Sequence, residues 1–203
     1  LAVSDHATGP GMVGGVGVPE DDLWEQMAEI RALDADIAVF AGVEANVGAE
    51  GEIPLDDDLL AAFDIVTASP HSALDADQER ATERLVRAVE HPHVDVLGHP
   101  TGRLINSRPG LSLDVERLAG AAAEAGVALE VNANPARLDL NGGAVRVARD
   151  AGATIVINTD AHSPPEFAYR TYGVHTARRG WAEAGDVLNA RDADGVRDFL
   201  GIE

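Results

Sequence analysis

Short apolar runs alternate along this chain with stretches in which apolar residues recur at helical spacing. The runs predict strands and the stretches between them predict amphipathic helices, a pattern typical of βα units that build a parallel sheet. The six predicted strands are residues 1–4, 37–43, 65–68, 94–97, 128–131 and 154–157. The predicted helices lie near residues 20–33, 56–63, 75–90, 113–125, 143–151, 166–181 and 192–200.

The 203 residues are enough for one domain with a sizeable core. A closed parallel barrel usually needs seven or eight strands in about 250 residues, more than the pattern supplies. The chain also begins at Leu1, inside a predicted strand and without a Met. We therefore expect one α/β domain over residues 1–203, a barrel that lacks about one βα unit at its N-terminus. An open α/β sheet is the alternative.

A glycine-rich segment, residues 9–17, follows the first predicted strand. It lacks the strand, turn and helix context that a nucleotide-binding fingerprint requires. We interpret it as a mobile loop and not as a phosphate cradle.

Residues able to bind metal follow five of the six predicted strands. In a parallel barrel the carboxyl ends of the strands meet on one face, and that face carries the chemistry. One such residue would mean little, but five strand ends indicate one shared multinuclear metal centre, and so an enzyme. The candidate ligands are His6, Glu44, His71, His99, Asp160 and His162.

Local sequence adds detail to these candidates. Asp160 and His162 are two residues apart, so on an extended segment they point to the same side. Glu44 is the best candidate for a carboxylate that bridges two metals, and Asp5 is a candidate partner for the His6 imidazole. Plainer interpretations exist for each candidate. Asp160 would be a turn residue with His162 as a cap, Glu44 a solvated residue, and His71 and His99 ordinary loop histidines.

The remaining histidines carry less weight. His91 and His93 resemble an H-x-H ligand pair, but they precede their strand and should lie on the opposite face from the site. His175 falls in a late predicted helix. Beside the candidate ligand His99, Gly98 is expected to permit a close approach of the backbone to a neighbour.

The composition limits which metals and which binding partners are expected. The chain has no Cys, so His, Asp and Glu must supply the ligands, which suits Zn²⁺, Mn²⁺ or Fe. Its 35 acidic residues against 15 basic ones, all Arg, give a formal net charge of −20. Such an excess is typical of halophilic proteins, and a GC-rich genome is the alternative. The basic footprint of nucleic-acid binding is absent, so local Arg placement decides that question.

Several arginines lie near the predicted strand ends. Arg103 and Arg108 follow His99, and guanidinium groups there suit a phosphorylated substrate, although ion pairing on the surface is as good an interpretation. Further substrate candidates are Asn132, Asn134 and Arg137, after the one predicted strand that ends without a metal-type ligand.

A second basic group lies near the end of the chain. Arg178, Arg179 and Trp181 could touch nucleic acid through charge and stacking, with helix packing as the alternative. No apolar run is long enough for a membrane span and nothing resembles a signal peptide, so a cytoplasmic location is the default expectation.

Taken in order, seven segments resemble the PHP (polymerase and histidinol phosphatase) superfamily, and within it the C-terminal PHP domain of bacterial and archaeal family X DNA polymerases. Three strings resemble the polymerase branch: Gly-His-Pro-Thr-Gly-Arg at 98–103, Asn-Ala-Asn-Pro-Ala-Arg at 132–137 and Ala-Arg-Arg-Gly-Trp at 177–181. Asp-Ala-His at 160–162 marks the superfamily alone. The segments are residues 4–6, 42–44, 68–72, 94–105, 129–141, 158–163 and 172–181.

The resemblance implies a distorted (β/α)₇ TIM-like barrel with two or three divalent metal ions, Mn²⁺ or Zn²⁺ and possibly Fe. It implies that the six candidate residues match part of a nine-ligand pattern. The other ligands belong to an N-terminal H-x-H segment and a further His that are absent here. On that basis Glu44, His71 and His99 would hold one metal by themselves, while His6, Asp160 and His162 would lack partners.

The activity implied by the resemblance is a metal-dependent phosphoesterase, the 3′–5′ exonuclease or DNA 3′-end processing domain of a family X polymerase. Its partners would be DNA 3′ ends or another phosphoester, and a polymerase module in the same parent chain. Arg103 or Arg108 would hold phosphate oxygens.

Three alternatives stay open. One is a small-molecule phosphatase of the histidinol phosphatase type. Another is an amidohydrolase barrel, in which Glu44 would replace the bridging Lys that this chain lacks. The last is a non-catalytic metal-binding domain that supports the polymerase.

Overall fold

The computed structural model describes residues 1–8 and 17–202, and this part of the chain forms one six-stranded parallel sheet with helices between the strands. The strands lie side by side in chain order. They are β1 Ala2–His6, β2 Phe40–Asn46, β3 Ile65–Ser69, β4 Val96–Leu97, β5 Ala128–Asn132 and β6 Ile155–Asn158. The predicted α/β class with a parallel sheet is confirmed. The glycine-rich segment, interpreted above as a mobile loop, lies outside the described residues apart from Gly17.

Helices connect consecutive strands, as the alternating pattern predicts. The α-helices are α1 Glu20–Arg31, α2 Asp57–Leu60, α3 Gln78–Val89, α4 Val115–Ala125, α5 Gly142–Asp150, α6 Arg170–Arg179 and α7 Ala193–Leu200. Five of them begin after an Asp or Asn whose side chain accepts a hydrogen bond from a backbone N–H of the first turn, which stabilises the helix start. These residues are Asp56, Asp77, Asp114, Asn141 and Asp192.

Two predicted boundaries were wrong in ways that matter for the site. The second strand was predicted at 37–43 but runs from Phe40 to Asn46, and Ile37 is 60% exposed. The reason is pairing, since the register with β1 starts at Ala2 opposite Phe40. The single helix predicted at 166–181 is a 3₁₀ helix, Pro164–Tyr169, followed directly by α6.

One face of the sheet is filled by a small apolar cluster that α7 covers. Its strand members come from the amino ends of five strands, and Val196, Phe199 and Leu200 of α7 pack against them. The strand members are Phe40, Ile65, Val96, Ala128 and Val156. Because strand side chains alternate, residues two and four positions further along each strand face the same way. The position of this apolar cluster therefore determines which side chains share its face at the carboxyl ends of the strands.

The sheet curls until its first and last strands approach each other. The rings of His6 in β1 and His162, just after β6, have centroids 6.5 Å apart. Within residues 1–8 and 17–202, β1 and β6 are the two edges of the sheet and do not pair. A single parallel bridge from Val187 to Ile155 extends the sheet beyond β6. This curled sheet is compatible with part of a TIM-like barrel, and the closed seven-stranded form stays a prediction.

The described helices are all too short or too polar to cross a lipid bilayer.

Candidate metal centre

Three imidazoles surround the carboxylate of Glu44 at the carboxyl ends of the first four strands. His6 Nδ1 lies 3.2 Å from Glu44 Oε2. On the other oxygen, Oε1, His99 Nε2 lies at 3.1 Å and His71 Nε2 at 3.4 Å. The ring of His71 sits between the other two, with centroids 5.2 Å from His6 and 5.0 Å from His99. Four of the six candidate ligands therefore converge on one point.

Strand register explains why His6 and Glu44 meet. The two residues are directly opposite each other in the parallel pairing of β1 with β2. His71 follows β3 by two residues, and its Nδ1 lies 3.3 Å from Oδ1 of Asn46 at the end of β2. That contact orients the imidazole so that Nε2 points toward Glu44.

His99 enters the group from the loop after β4. The close approach predicted at Gly98 is confirmed, because a Cβ there would lie 2.3 Å from Ser69 Oγ and 2.8 Å from Thr67 Cγ2. His99 itself is buried and has a backbone φ of +25°, a conformation that side-chain-bearing residues rarely adopt. Such strain commonly marks functional sites.

The donor set fits a divalent metal ion. One ligand atom from each of His6, Glu44 and His71 lies within 4.8 Å of the other two. Among the described residues, His6 Nδ1 and His71 Nε2 are buried atoms without a hydrogen-bond partner. Buried polar atoms are normally satisfied, so two orphaned ring nitrogens beside a carboxylate call for an ion.

The resemblance implied that Glu44, His71 and His99 hold one metal by themselves and that His6 lacks partners. In the structure His71 and His99 both lie beside Glu44 Oε1, and β1 places His6 opposite Glu44 as well. Which of these residues share an ion stays a prediction.

The pKa shifts of Glu44 and His71 suit metal binding, whereas the shift of His99 opposes it. Burial alone would raise the pKa of Glu44, but the neighbouring His71 and His99 lower it well below the usual range. Burial lowers the pKa of His71 despite the nearby Glu44 carboxylate. At His99 burial acts in the same direction, but Glu44 outweighs it and the pKa is raised. An ionised carboxylate and a neutral imidazole are the forms that bind metal.

The buried carboxylate of Glu130 supports the candidate metal centre. The pattern of residues at strand ends did not indicate it. Glu130 Oε2 accepts hydrogen bonds from the His99 backbone N–H at 2.6 Å and from Asn132 Nδ2 at 3.2 Å. Its Oε1 accepts one from Asn158 Nδ2 at 2.9 Å. Burial raises the pKa of Glu130 to about 7. The sequence signal for Glu130 was a charged residue inside the apolar run 128–131. A search restricted to residues that follow strands does not include this position.

Asp160 and His162 contact each other, with His162 Nδ1 3.8 Å from Asp160 Oδ1, but the two side chains differ in exposure. Asp160, with φ +52°, accepts a 3.1 Å hydrogen bond on Oδ2 from Asn132 Nδ2, and Arg137 Nε lies 3.4 Å from the same oxygen. His162 is exposed, and its backbone N–H donates to Glu166. Only Asp160 is thus held toward the interior.

The two arginines predicted to bind phosphate donate instead to backbone oxygens, Arg103 to the loop after β5 and Arg108 to its own loop. Arg103 donates through Nε to Arg137 O at 2.6 Å and through Nη2 to Leu138 O. Arg108 donates twice to Gly102 O, at 3.1 and 2.7 Å. Residues 103–110 line a surface pocket of about 390 Å³. Phosphate binding by these two residues stays a prediction.

Arg137 has a better position than either of them. Its side chain is 18% exposed beside Asp160, and in the described part of the chain its Nη1 is buried without a hydrogen-bond partner. From the sequence it was predicted only as a further substrate candidate.

The remaining histidines lie away from this group. His91 and His93 precede β4 at its amino end, as predicted, and His91 Nε2 lies 3.7 Å from Asp57. His175 is exposed on α6.

No protein-family model matches the chain, but individual proteins do. It is 41% identical over 203 residues to the DNA polymerase/3′-5′ exonuclease PolX of Bacillus subtilis (strain 168), covering 98% of this chain and 35% of PolX. A protein named probable phosphatase from Shewanella sp. (strain ANA-3) is 33% identical over 141 residues, 65% of this chain and 53% of that protein. One of the same name from Caldanaerobacter subterraneus subsp. tengcongensis is 31% identical over 173 residues, 80% of this chain and 63% of the relative. The chain therefore spans about a third of PolX and less than two thirds of these phosphatases, and it is similar over nearly all its length to one part of PolX.

Proposed function

We propose that the chain is a PHP-type, metal-dependent phosphoesterase that processes DNA 3′ ends. The observation that carries the proposal is the convergence of His6, His71 and His99 on Glu44, with three buried ring nitrogens among them that lack a hydrogen-bond partner. Similarity to PolX over 98% of the chain supports the choice of a DNA substrate.

The residues present can be assigned to one or more metal ions. His6, Glu44 and His71 would hold one divalent ion, and His99 and Asp160 would extend the group toward one or two more. The chemistry that Mn²⁺, Zn²⁺ or Fe would supply there is Lewis acidity and the activation of water. The chain itself contributes an ionised Glu44, imidazoles fixed by register, and the carboxylate of Glu130 that holds the His99 backbone.

Arg137 supplies a positive group for the phosphate. A guanidinium N–H that is buried, unpaired and next to Asp160 is suited to a phosphoryl oxygen. Arg103 and Arg108, whose guanidinium groups brace the neighbouring loops, stabilise the walls of the same region and remain candidates for a more distant phosphate.

The similarity to PolX also supports a proposal about the parent chain and its location. Because the chain covers 35% of PolX, we place it beside a polymerase module in one parent chain, in the cytoplasm.

The alternative is a small-molecule phosphatase of the histidinol phosphatase type. The relatives named probable phosphatase support it, since they match 65 to 80% of this chain without a polymerase in their names. The metal residues would be the same, and the substrate would be a phosphate monoester.

A direct comparison of substrates tests the proposal. In Mn²⁺, a 5′-labelled single-stranded oligonucleotide should shorten stepwise from its 3′ end, and faster than histidinol phosphate is hydrolysed. His71→Ala should abolish shortening, and His91→Ala, a histidine at the opposite end of the sheet, is the matched control. Shortening that survives His71→Ala contradicts the proposed site. Hydrolysis of histidinol phosphate alone favours the alternative, and metal binding without turnover favours a supporting domain.

A further inference from the structure

Two loops at the carboxyl ends of neighbouring strands are joined by the side chain of Arg103. This residue lies in the loop after β4, which also carries His99. Its Nε donates to the backbone oxygen of Arg137 at 2.6 Å, and its Nη2 donates to that of Leu138. Both acceptors belong to the loop after β5. One guanidinium therefore holds two consecutive carbonyl groups of the neighbouring loop.

The carboxylate of Asp139 makes a second link between the same two loops. Its side chain is buried, and Oδ2 accepts hydrogen bonds from the Thr101 backbone N–H at 3.0 Å and from Thr101 Oγ1 at 2.9 Å. A backbone hydrogen bond from the Ile105 N–H to Ala136 O, at 2.7 Å, adds a third link. The loop after β4 therefore fixes the position of the loop after β5.

The backbone that Arg103 holds is sharply bent. Leu138 has φ +47°, a conformation that side-chain-bearing residues rarely adopt. The N–H groups of Arg137 and Leu138 both donate to Asn134 O, at 2.8 and 3.0 Å. Every backbone polar group of residues 137 and 138 thus has a partner, and Arg103 supplies the donors for both carbonyl groups. We expect the geometry of the bend to depend on Arg103.

The side chain of Arg137 extends from this bend to the candidate metal centre. Its Nε lies 3.4 Å from Asp160 Oδ2, which also accepts a hydrogen bond from Asn132 Nδ2. The Asn132 amide donates to Glu130 as well, and Glu130 accepts from the His99 N–H. In the described part of the chain, Arg137 Nη1 is buried without a hydrogen-bond partner. This N–H group is therefore available to a phosphoryl oxygen.

We infer that Arg103 is a positioning residue for the substrate phosphate at the metal centre, and that it acts through Arg137 without touching that phosphate. The two N–H donors of Arg103 hold the carbonyl groups of residues 137 and 138, and the bend so formed directs Nη1 of Arg137. The inference rests on the proposed function, in which Arg137 binds a phosphoryl oxygen. It adds the residue that controls this contact.

Binding of inorganic phosphate tests the inference without turnover. In equilibrium dialysis of the Mn²⁺-loaded chain with radiolabelled phosphate, Arg137→Met should weaken binding roughly ten- to a hundred-fold, the effect of losing one hydrogen bond to a charged group. Arg103→Met should weaken it by at least about twofold, as expected for a residue in the same hydrogen-bond network.

The double variant distinguishes positioning from direct contact. Once Arg137→Met has removed the guanidinium that Arg103 positions, Arg103→Met should have little further effect on phosphate binding. The same loss of affinity in both backgrounds would mean that Arg103 contacts the phosphate itself, and it would overturn the inference. Wild-type affinity in Arg103→Met, or no phosphate binding by the wild type, would overturn it too.

Two further variants separate the geometry of Arg103 from its charge. Arg103→Lys keeps the charge but lacks the planar fork of donors, so it should bind phosphate nearly as weakly as Arg103→Met. Recovery of wild-type affinity in Arg103→Lys would contradict the inference. Arg149→Met is the matched control, because Arg149 of α5 also donates to a backbone oxygen, that of Trp181 at 2.7 Å. It should bind phosphate as the wild type does, and thermal unfolding checks that every variant is folded.

Amide hydrogen exchange gives a second measurement that needs no phosphate. The N–H groups of Arg137 and Leu138 should exchange faster in Arg103→Met than in the wild type, because their loop loses two hydrogen bonds. Arg149→Met should leave this exchange unchanged. Equal exchange in Arg103→Met and wild type would show that the bend does not depend on Arg103, and it would contradict the inference.

The proposed function and the inference can fail separately. Hydrolysis of bis(p-nitrophenyl) phosphate by the wild-type chain in Mn²⁺ tests the metal centre. A chain that binds phosphate through Arg103 and Arg137 but does not hydrolyse this substrate contradicts the proposed function and supports the inference. A chain that hydrolyses it, and whose phosphate affinity does not change in Arg103→Met, contradicts the inference alone.

Discussion

The carboxylate of Glu130 accepts a 2.6 Å hydrogen bond from the backbone N–H of His99, which joins the interior of β5 to the loop after β4. The strained backbone of His99, with φ +25°, is held partly by this bond. Glu130 also accepts from Asn132, whose amide donates in turn to Asp160. One buried carboxylate thus positions two of the candidate ligands without being one itself.

Replacement of Glu130 should disturb both stability and metal binding. Glu130→Ala leaves the buried His99 N–H without an acceptor and removes one acceptor each from the Asn132 and Asn158 amides. Each unsatisfied buried group costs about 1 to 3 kcal/mol in unfolding free energy. Glu130→Gln retains one acceptor oxygen and should cost less. Urea unfolding of the metal-free chain measures both. Equal stability of Glu130→Ala and wild type would contradict the positioning role.

A second buried charge supports the loops that follow β2, the strand of Glu44, and β3, which precedes His71. Arg84 is 3% exposed and donates to four backbone oxygens, those of Gly48 and Ser72 at 2.7 Å each, that of Ala73 at 3.4 Å and that of Val47. Arg84→Met should cost about 3 kcal/mol or more, because it leaves these carbonyls unsatisfied. It should also weaken metal binding by loosening the loops after β2 and β3.

Arg87, one turn further along the same helix, is the matched control for Arg84. Its side chain is 50% exposed and pairs with Glu50 and Glu83 at the surface. Arg87→Met should change the unfolding free energy by less than about 0.5 kcal/mol. Similar losses for both variants would mean that helix propensity, and not the buried guanidinium, accounts for the effect.

Asp95 gives the chain a pH dependence that is separate from the metal centre. Burial raises its pKa to about 6, against the opposing effects of a 2.7 Å hydrogen bond from the Val66 N–H and the charge of His93. The folded state therefore favours the protonated form. The resulting stability is fully present below about pH 4, the unfolded value, and is lost as pH rises through about 6.

Asp95→Asn should remove this dependence, because the amide oxygen can still accept from Val66 and carries no charge. At pH 7 the variant should be more stable than wild type by up to about 3 kcal/mol, and the difference should shrink toward pH 4. Urea unfolding at a series of pH values measures it, with Asp36→Asn in an exposed loop as control. A constant difference across pH would refute the assignment.

Metal should stabilise the folded chain by mass action. An ion at about 100 times its dissociation constant adds about 2.7 kcal/mol if it binds only the folded state. Thermal unfolding should therefore shift upward with Zn²⁺ or Mn²⁺ and return on chelation. His71→Ala should largely lose the shift, whereas His175→Ala, on the exposed side of α6, should keep it.

Much of this arrangement could be predicted from the pattern of the chain. Alternating apolar runs and helices indicate a parallel sheet, and a parallel sheet brings residues such as His6 and Glu44 to one edge. The prediction did not need the strand boundaries to be right. β2 is shifted by three residues from its predicted start, yet Glu44 still faces the group because the register with β1 sets its direction.

The supporting residues could not be found in this way. Glu130 and Arg84 lie inside a strand and a helix, and each has backbone partners far along the chain. The His99 N–H is 31 residues from Glu130, and the Gly48 and Val47 oxygens are 36 and 37 residues from Arg84. A pattern of strand ends carries no information about such contacts. Arg103 and Arg108 show the converse: their sequence position suggests phosphate, but tertiary contacts direct both guanidinium groups to nearby carbonyl oxygens.

Glu44 and its histidines should hold a divalent ion, and every functional proposal above depends on that. Isothermal titration of the metal-free chain with Zn²⁺ and Mn²⁺, with metal content measured independently, tests it. Wild type should bind at least one ion per chain. Glu44→Gln should lose more affinity than the roughly 10- to 100-fold caused by removing an outer partner of a ligand, while Glu25→Gln, an exposed residue of α1, should bind as wild type does. Binding of less than one ion by wild type, or equal binding by wild type and Glu44→Gln, would rule out a metal centre at Glu44.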